Sequence, residues 1–218
     1  MHESPWLNLY LCPKEVDYER STPLGEGWHR LESCVRQTDE DWVEPDGFTE
    51  RGERLVYLSL GSLGSADIEL MRGLIDTLAA SRHRFVVSKG PQHELLELAD
   101  NMVGAEFLPQ TTVLPQVDAV ITHGGNNTVT ESFHFGKPMV VLPLFWDQYD
   151  NAQRVHELGF GRRLPTYTHE PDELRATLDA LLEDEGLRGG LSAVSARLRS
   201  RPGTVRASAL IEQAAVSS

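Results

Sequence analysis

The sequence has only two cysteines, Cys12 and Cys34, and they form neither a CxxC pair nor a cluster with histidine. That excludes a zinc module and a disulfide framework, and it points to a reducing compartment. Basic residues are also scarce, 20 against 33 acidic, for a net charge of −13 with no Lys/Arg-rich block. Long-range attraction to nucleic acid or to an anionic membrane is therefore not expected, and an anionic ligand must be held by local donors. No run reaches about 18 apolar residues, and the N-terminus has no basic-then-apolar leader. The expectation is a cytoplasmic protein without a membrane span. The GxGxxG fingerprint of dinucleotide enzymes and the GxSxG elbow of hydrolases are missing too, which leaves oxidoreductase and hydrolase readings without their main support.

What is present is 218 residues with 40% apolar content, enough for one α/β domain with a buried core. Residues 1–53 are rich in Pro, Gly, Trp and charge and show no sustained periodicity, so they read as a tail or linker. At Leu55 the character changes. LVYLSL, ended by Gly61, is a strand buried on both faces. After the loop GSLGSAD, Ile68, Met71, Leu74, Ile75 and Leu78 recur at helical spacing, with Ser65 or Asp67 as the cap.

The alternation continues. RFVVS, NMVGAEFL, AVIT and PMVVLP read as strands, FGRRL as a short one, and HELLELA, TVTESFHF, DNAQRVHEL and PDELRATLDALLED as helices. GLSAVSARLRS and TVRASALIEQAA close the chain as two more helices. Strands alternating with helices imply right-handed crossovers and a parallel sheet covered on both faces. The fold expected for residues 54–218 is one doubly wound, Rossmann-like α/β domain.

Chemistry concentrates in AVITHGGNNTVTES at 119–132, where an apolar strand runs into His123, Gly124, Gly125, Asn126, Asn127 and Thr128 before a helix. Ligands of open α/β sheets bind beyond the carboxyl ends of the strands, where a helix N-terminus offers free N–H groups and about half a unit of positive charge. Glycines let a phosphate approach the backbone, Asn127 and Thr128 add polar groups, and Glu131, one turn on, can accept from ribose hydroxyls. Taken alone, GGNN also describes a tight turn with an Asn cap.

Three further loops fall at the same edge. PLFWDQYDN carries Trp146, Asp147 and Gln148, suited to sugar hydroxyls and an apolar sugar face, although Asp147 can equally be a plain helix cap. FLPQ carries Phe107, able to stack on a base, and Gln110, able to bond its polar edge; alone, these read as a core Phe and a surface Gln. LGSLGS places Gly61 and Ser62 where an N–H and a hydroxyl can meet a phosphate.

Together, Phe107, Gln110, Leu114, His123, Gly125, Thr128, Pro138, Pro143, Asp147 and Gln148 resemble, in order and spacing, the signature of the UDP-glycosyltransferase family. The likeness runs from about Leu55 to the C-terminus. It implies the C-terminal, donor-binding half of a two-Rossmann-domain hexosyltransferase, with residues 1–53 as the linker and the remnant of an acceptor domain. By the same resemblance Phe107 stacks on the base, Gln110 contacts base or ribose, and Glu131 holds the ribose. His123, Gly125, Asn127, Thr128 and Ser62 bind the diphosphate, while Asp147 and Gln148, helped by Trp146, hold the sugar.

No metal and no cofactor are implied, the donor substrate being a UDP-sugar or TDP-sugar. Phe107 stands where most members carry Trp, which leaves uracil and thymine both open. Members take their catalytic His from an N-terminal acceptor domain, and His2 and His29 are poor substitutes for it. The chain is therefore expected to bind the donor and to be inactive alone, meeting its acceptor through that domain or a partner subunit. The alternatives are a non-catalytic nucleotide-sugar-binding module and the donor subunit of a split two-chain enzyme.

Overall fold

The computed structural model describes residues 3–36 and 40–216. The N-terminal segment forms β1 (Asn8–Tyr10) and β2 (Trp28–Arg30), paired in parallel. It lies against the rest of the molecule. Val16 and Phe48 belong to the main hydrophobic core, and Arg154 donates to the carbonyls of Val16 at 3.2 Å and Asp17 at 2.7 Å. His29 sits in β2, and His2 lies outside the described residues.

The main sheet has six strands: β3 (Leu55–Ser59), β4 (Arg84–Ser88), β5 (Met102–Ala105), β6 (Ala119–Thr122), β7 (Met139–Val141) and β8 (Gly161–Arg163). Their order is β5-β4-β3-β6-β7-β8, every pair parallel. Burial on both faces accounts for the unbroken apolar runs, since every residue of β3, β6 and β7 is buried. The expected doubly wound α/β fold is what forms. The winding reverses between β3 and β6, so the loops after these two strands diverge and leave a crevice at their carboxyl ends.

Among the described residues eight α-helices connect or flank the strands: α1 (Gly61–Gly64), α2 (Ile68–Ala79), α3 (Gln110–Val113), α4 (Asn126–Phe135), α5 (Gln148–Glu157), α6 (Pro171–Glu183), α7 (Glu185–Arg199) and α8 (Gly203–Val216). In α2, Met71, Leu74, Ile75 and Leu78 are buried as the periodicity predicts, and of the two candidate caps it is Asp67 that accepts from the Leu70 N–H at 3.1 Å. Helix α2 packs on α6 and α4 on α7. Among the described residues no helix is long and apolar enough to cross a membrane.

Two local expectations change. HELLELA yields only a three-residue 3-10 turn, His93–Leu95, because Gln92 supplies no side-chain cap and Leu95 remains 54% exposed. With neither a cap nor a continuous buried face, the cost of helix nucleation is not recovered. Conversely, the loop after β3 tightens into the single helical turn α1.

Candidate functional site

The crevice is built from strand ends. His123 follows β6 directly, and Gly125 is the N-cap of α4 with an extended backbone (φ −60°, ψ 141°) and no side-chain cap. The first N–H groups of α4 are thus left for a ligand, with the positive end of the helix dipole behind them. The His123 ring lies between two glycines: a Cβ on Gly61 would come within 2.9 Å of it, and one on Gly125 within 2.5 Å of its Nε2. Any side chain at either glycine would displace the imidazole.

Behind this loop, the Gly124 N–H donates to Thr122 Oγ1 at 3.2 Å, and Asn151 donates to the Gly124 carbonyl at 2.9 Å. Burial holds the His123 pKa below the usual imidazole value, opposed by a hydrogen bond to the Ser59 backbone and by the charge of Asp147.

Two adjoining cavities open here and share Gly61, Ser62 and Asn127 in their walls. The first, about 480 Å³, is lined by Phe107, Gln110 and Glu131. Phe107 is 59% exposed, a free aromatic face at the rim. Gln110 Nε2 donates to Glu131 Oε2 at 2.5 Å. Burial raises the Glu131 pKa above the ordinary carboxylate value, opposed by this hydrogen bond and by the charge of Arg36. The second cavity, about 390 Å³, is lined by His123, Gly125, Asn126, Thr128, Phe145 and Gln148.

The sequence-derived candidates thus converge on one crevice, with two exceptions. Trp146 and Asp147 line neither cavity; Trp146 is 79% exposed, with a left-handed backbone (φ 53°), and Asp147 accepts from Asn151 at 3.3 Å. Gln148 is only 4% exposed, and its Oε1 accepts from the N–H groups of Leu144 and Phe145 at 2.9 and 3.1 Å. That leaves only its amide N–H groups to offer a ligand.

Sequence reasoning missed several lining residues. Ser59 and Ser88 end β3 and β4, a strand-end position that could have marked them. Both approach the buried Tyr57 hydroxyl, whose pKa burial pushes up to about 12. Cys34 and Arg36 also line the first cavity, and nothing local in their sequence announces it.

Comparisons with known proteins bear on this arrangement. Residues 72–212 match the family model described as erythromycin biosynthesis protein CIII-like, C-terminal domain. The oleandomycin glycosyltransferase of Streptomyces antibioticus is 31% identical over 95% of this chain and 49% of its own length. Human UDP-glucuronosyltransferase 1A6 is 36% identical over 78% of this chain and 32% of its own. Among solved structures, the glycotransferase of kitacinnamycin superposes with a TM-score of 0.83 at 30% identity, over 96% of this chain and 55% of that one. The chain spans about a third to a half of the length of these relatives.

Proposed function

The chain belongs to the erythromycin biosynthesis protein CIII-like C-terminal domain family, a UDP-glycosyltransferase lineage, and from that premise we propose that it binds the nucleotide-sugar donor in hexosyl transfer to an acceptor hydroxyl. One observation carries the proposal: at the switch point of the sheet, a cavity with Phe107, Gln110 and Glu131 adjoins one containing His123 and the uncapped N-terminus of α4. A nucleoside diphosphate has that sequence of parts, an aromatic base, a hydroxyl-bearing pentose and an anionic diphosphate.

In this reading Phe107 stacks on the base, and Glu131, oriented by Gln110, accepts from the ribose hydroxyls. Ser62, Asn127, Thr128 and the Gly125 backbone hold the diphosphate with His123. Fixed donors of this kind stabilise the charge that develops on a departing diphosphate without reorganising. The Gln148 amide and, from the rim, Asp147 and Trp146 meet the sugar. UDP and TDP sugars are both candidates.

Residues 54–218 form the Rossmann-like unit of the proposal, and residues 1–53 lead into it and add Cys34 and Arg36 to the cavity wall. Transfer also needs a base for the acceptor hydroxyl, and none of the residues named here serves as one. Within the proposal, the base and the acceptor pocket come from a further domain or subunit. A cytoplasmic location agrees with two unpaired cysteines.

Calorimetric titration with UDP, TDP, UDP-glucose and NAD tests the reading. Binding of UDP or TDP with no binding of NAD is the expected result. A folded chain that takes up NAD in their place, or that binds none of the four, overturns it.

A further inference from the structure

The segment between β2 and β3 is fastened at one point by contacts that a plain connector does not need. Glu32 adopts a left-handed backbone, φ 66°, uncommon for a residue with a side chain. Its carboxylate is gripped by Arg197 of α7, which also forks onto Glu15. The next residue, Ser33, accepts at its carbonyl from the Gly203 N–H at 3.2 Å, and its hydroxyl lies 3.0 Å from His134 Nδ1. A Cβ on Gly203 would stand 2.2 Å from that carbonyl, so the fit leaves no slack.

These contacts aim the chain. One residue on, Cys34 enters the wall of the cavity that holds Phe107, Gln110 and Glu131, and Arg36 follows it there. The Arg36 charge reaches Glu131, yet among the described residues its guanidinium closes no ion pair. The Glu131 carboxylate and the exposed Arg36 therefore line one cavity, and Arg36 brings five N–H donors to its wall.

We propose that Arg36 is a further donor-binding residue, whose guanidinium donates to a carbonyl oxygen of the nucleobase stacked on Phe107. The proposal rests on the nucleotide-sugar reading of the site. A guanidinium has donors and no acceptor, so it selects acceptor atoms of the ligand. The diphosphate has its own donors in the second cavity, which Arg36 does not line. Glu131 is suited to the ribose hydroxyls, and the acceptors left at the nucleoside end are the base carbonyls. Arg36 thus favours a pyrimidine bearing carbonyl oxygens over adenine, whose only base acceptors are ring nitrogens.

The test titrates UDP and ADP into the wild-type chain and into Arg36→Ala, with thermal midpoints recorded to show that both are folded. The expected outcome is a loss of roughly tenfold in UDP affinity, little change for ADP, and an unchanged midpoint. Arg36→Lys, which keeps the charge without the fork, should fall between. An unchanged ratio of UDP to ADP affinity, whether neither ligand weakens or both weaken together, overturns the role of Arg36 and leaves the site reading standing. A wild-type chain that binds neither UDP nor TDP removes both.

Discussion

Gln110 donates to Glu131 Oε2 at 2.5 Å, joining the first residue of α3 to the second turn of α4 across the mouth of the first cavity. Both side chains are partly buried, so the bond fixes one carboxylate oxygen and leaves the other for a ligand. Gln110 Oε1 remains as a second acceptor.

Glu131→Ala removes that acceptor. It should weaken UDP binding by about tenfold or more, as expected for a hydrogen bond to a charged group, while calorimetry on Glu131→Gln should show a smaller loss. The same substitution should affect stability in the opposite direction. Burial raises the folded-state pKa of Glu131, so the stability linked to its protonation is present below the unfolded carboxylate value and lost as pH rises through the folded one. Thermal melts should therefore find Glu131→Gln more stable than wild type near pH 8, with the gain shrinking toward pH 4.

His123 has the reverse sign. Burial keeps it neutral at pH 7, and a bound diphosphate would favour the imidazolium and raise its pKa. Between the free and bound values binding takes up a proton, so affinity should rise as pH falls through that window. The ligand's own phosphate titrates in the same range, and comparison with His123→Gln cancels this. The wild-type advantage for UDP should grow about fivefold from pH 8 to pH 6; a constant ratio would remove His123 from the anion site.

Gly124→Ala should destabilise the fold by about 2–4 kcal/mol, combining a left-handed backbone with overpacking. Its φ is 85°, and an added Cβ would stand 2.7 Å from Val141 Cγ1 in β7. Chemical denaturation gives the number directly. A value under 1 kcal/mol would mean that the loop has room to move.

Trp146 separates stability from binding. It is exposed and left-handed, so Trp146→Gly removes little packing and relieves backbone cost, and stability should stay level or rise by about 1 kcal/mol. If the ring covers the sugar, UDP-glucose affinity should fall several-fold while that of UDP holds. Equal affinities for UDP-glucose in the variant and the wild type would take Trp146 out of the site.

Strands β3, β4, β6 and β7 were legible as apolar runs because they are buried on both faces, and α2 and α6 because their leucines recur on one face. The loop from His123 to Thr128 was legible because local chain chemistry, a strand running into glycines and then a helix, sets it. Gln148 was identified, but not the direction of its carbonyl, which two backbone N–H groups only three and four residues away capture. Phe48, 5% exposed in the core, gave no sign of its burial, because one aromatic in a polar stretch has no periodicity to read.

Sequence by itself determined the alternation of strand and helix, the edge of the sheet where the polar loops gather, and the side chains delivered there by the loops at that edge. These depend on neighbours within a few residues, and a short window records them. Tertiary structure decided the strand order, the reversal between β3 and β6, the Gln110–Glu131 bond and the arrival of Arg36 at the cavity. Each joins segments far apart in the chain, and each is settled by packing and charge pairing such as Arg197 with Glu15 and Glu32, for which no local pattern of residues carries a signal.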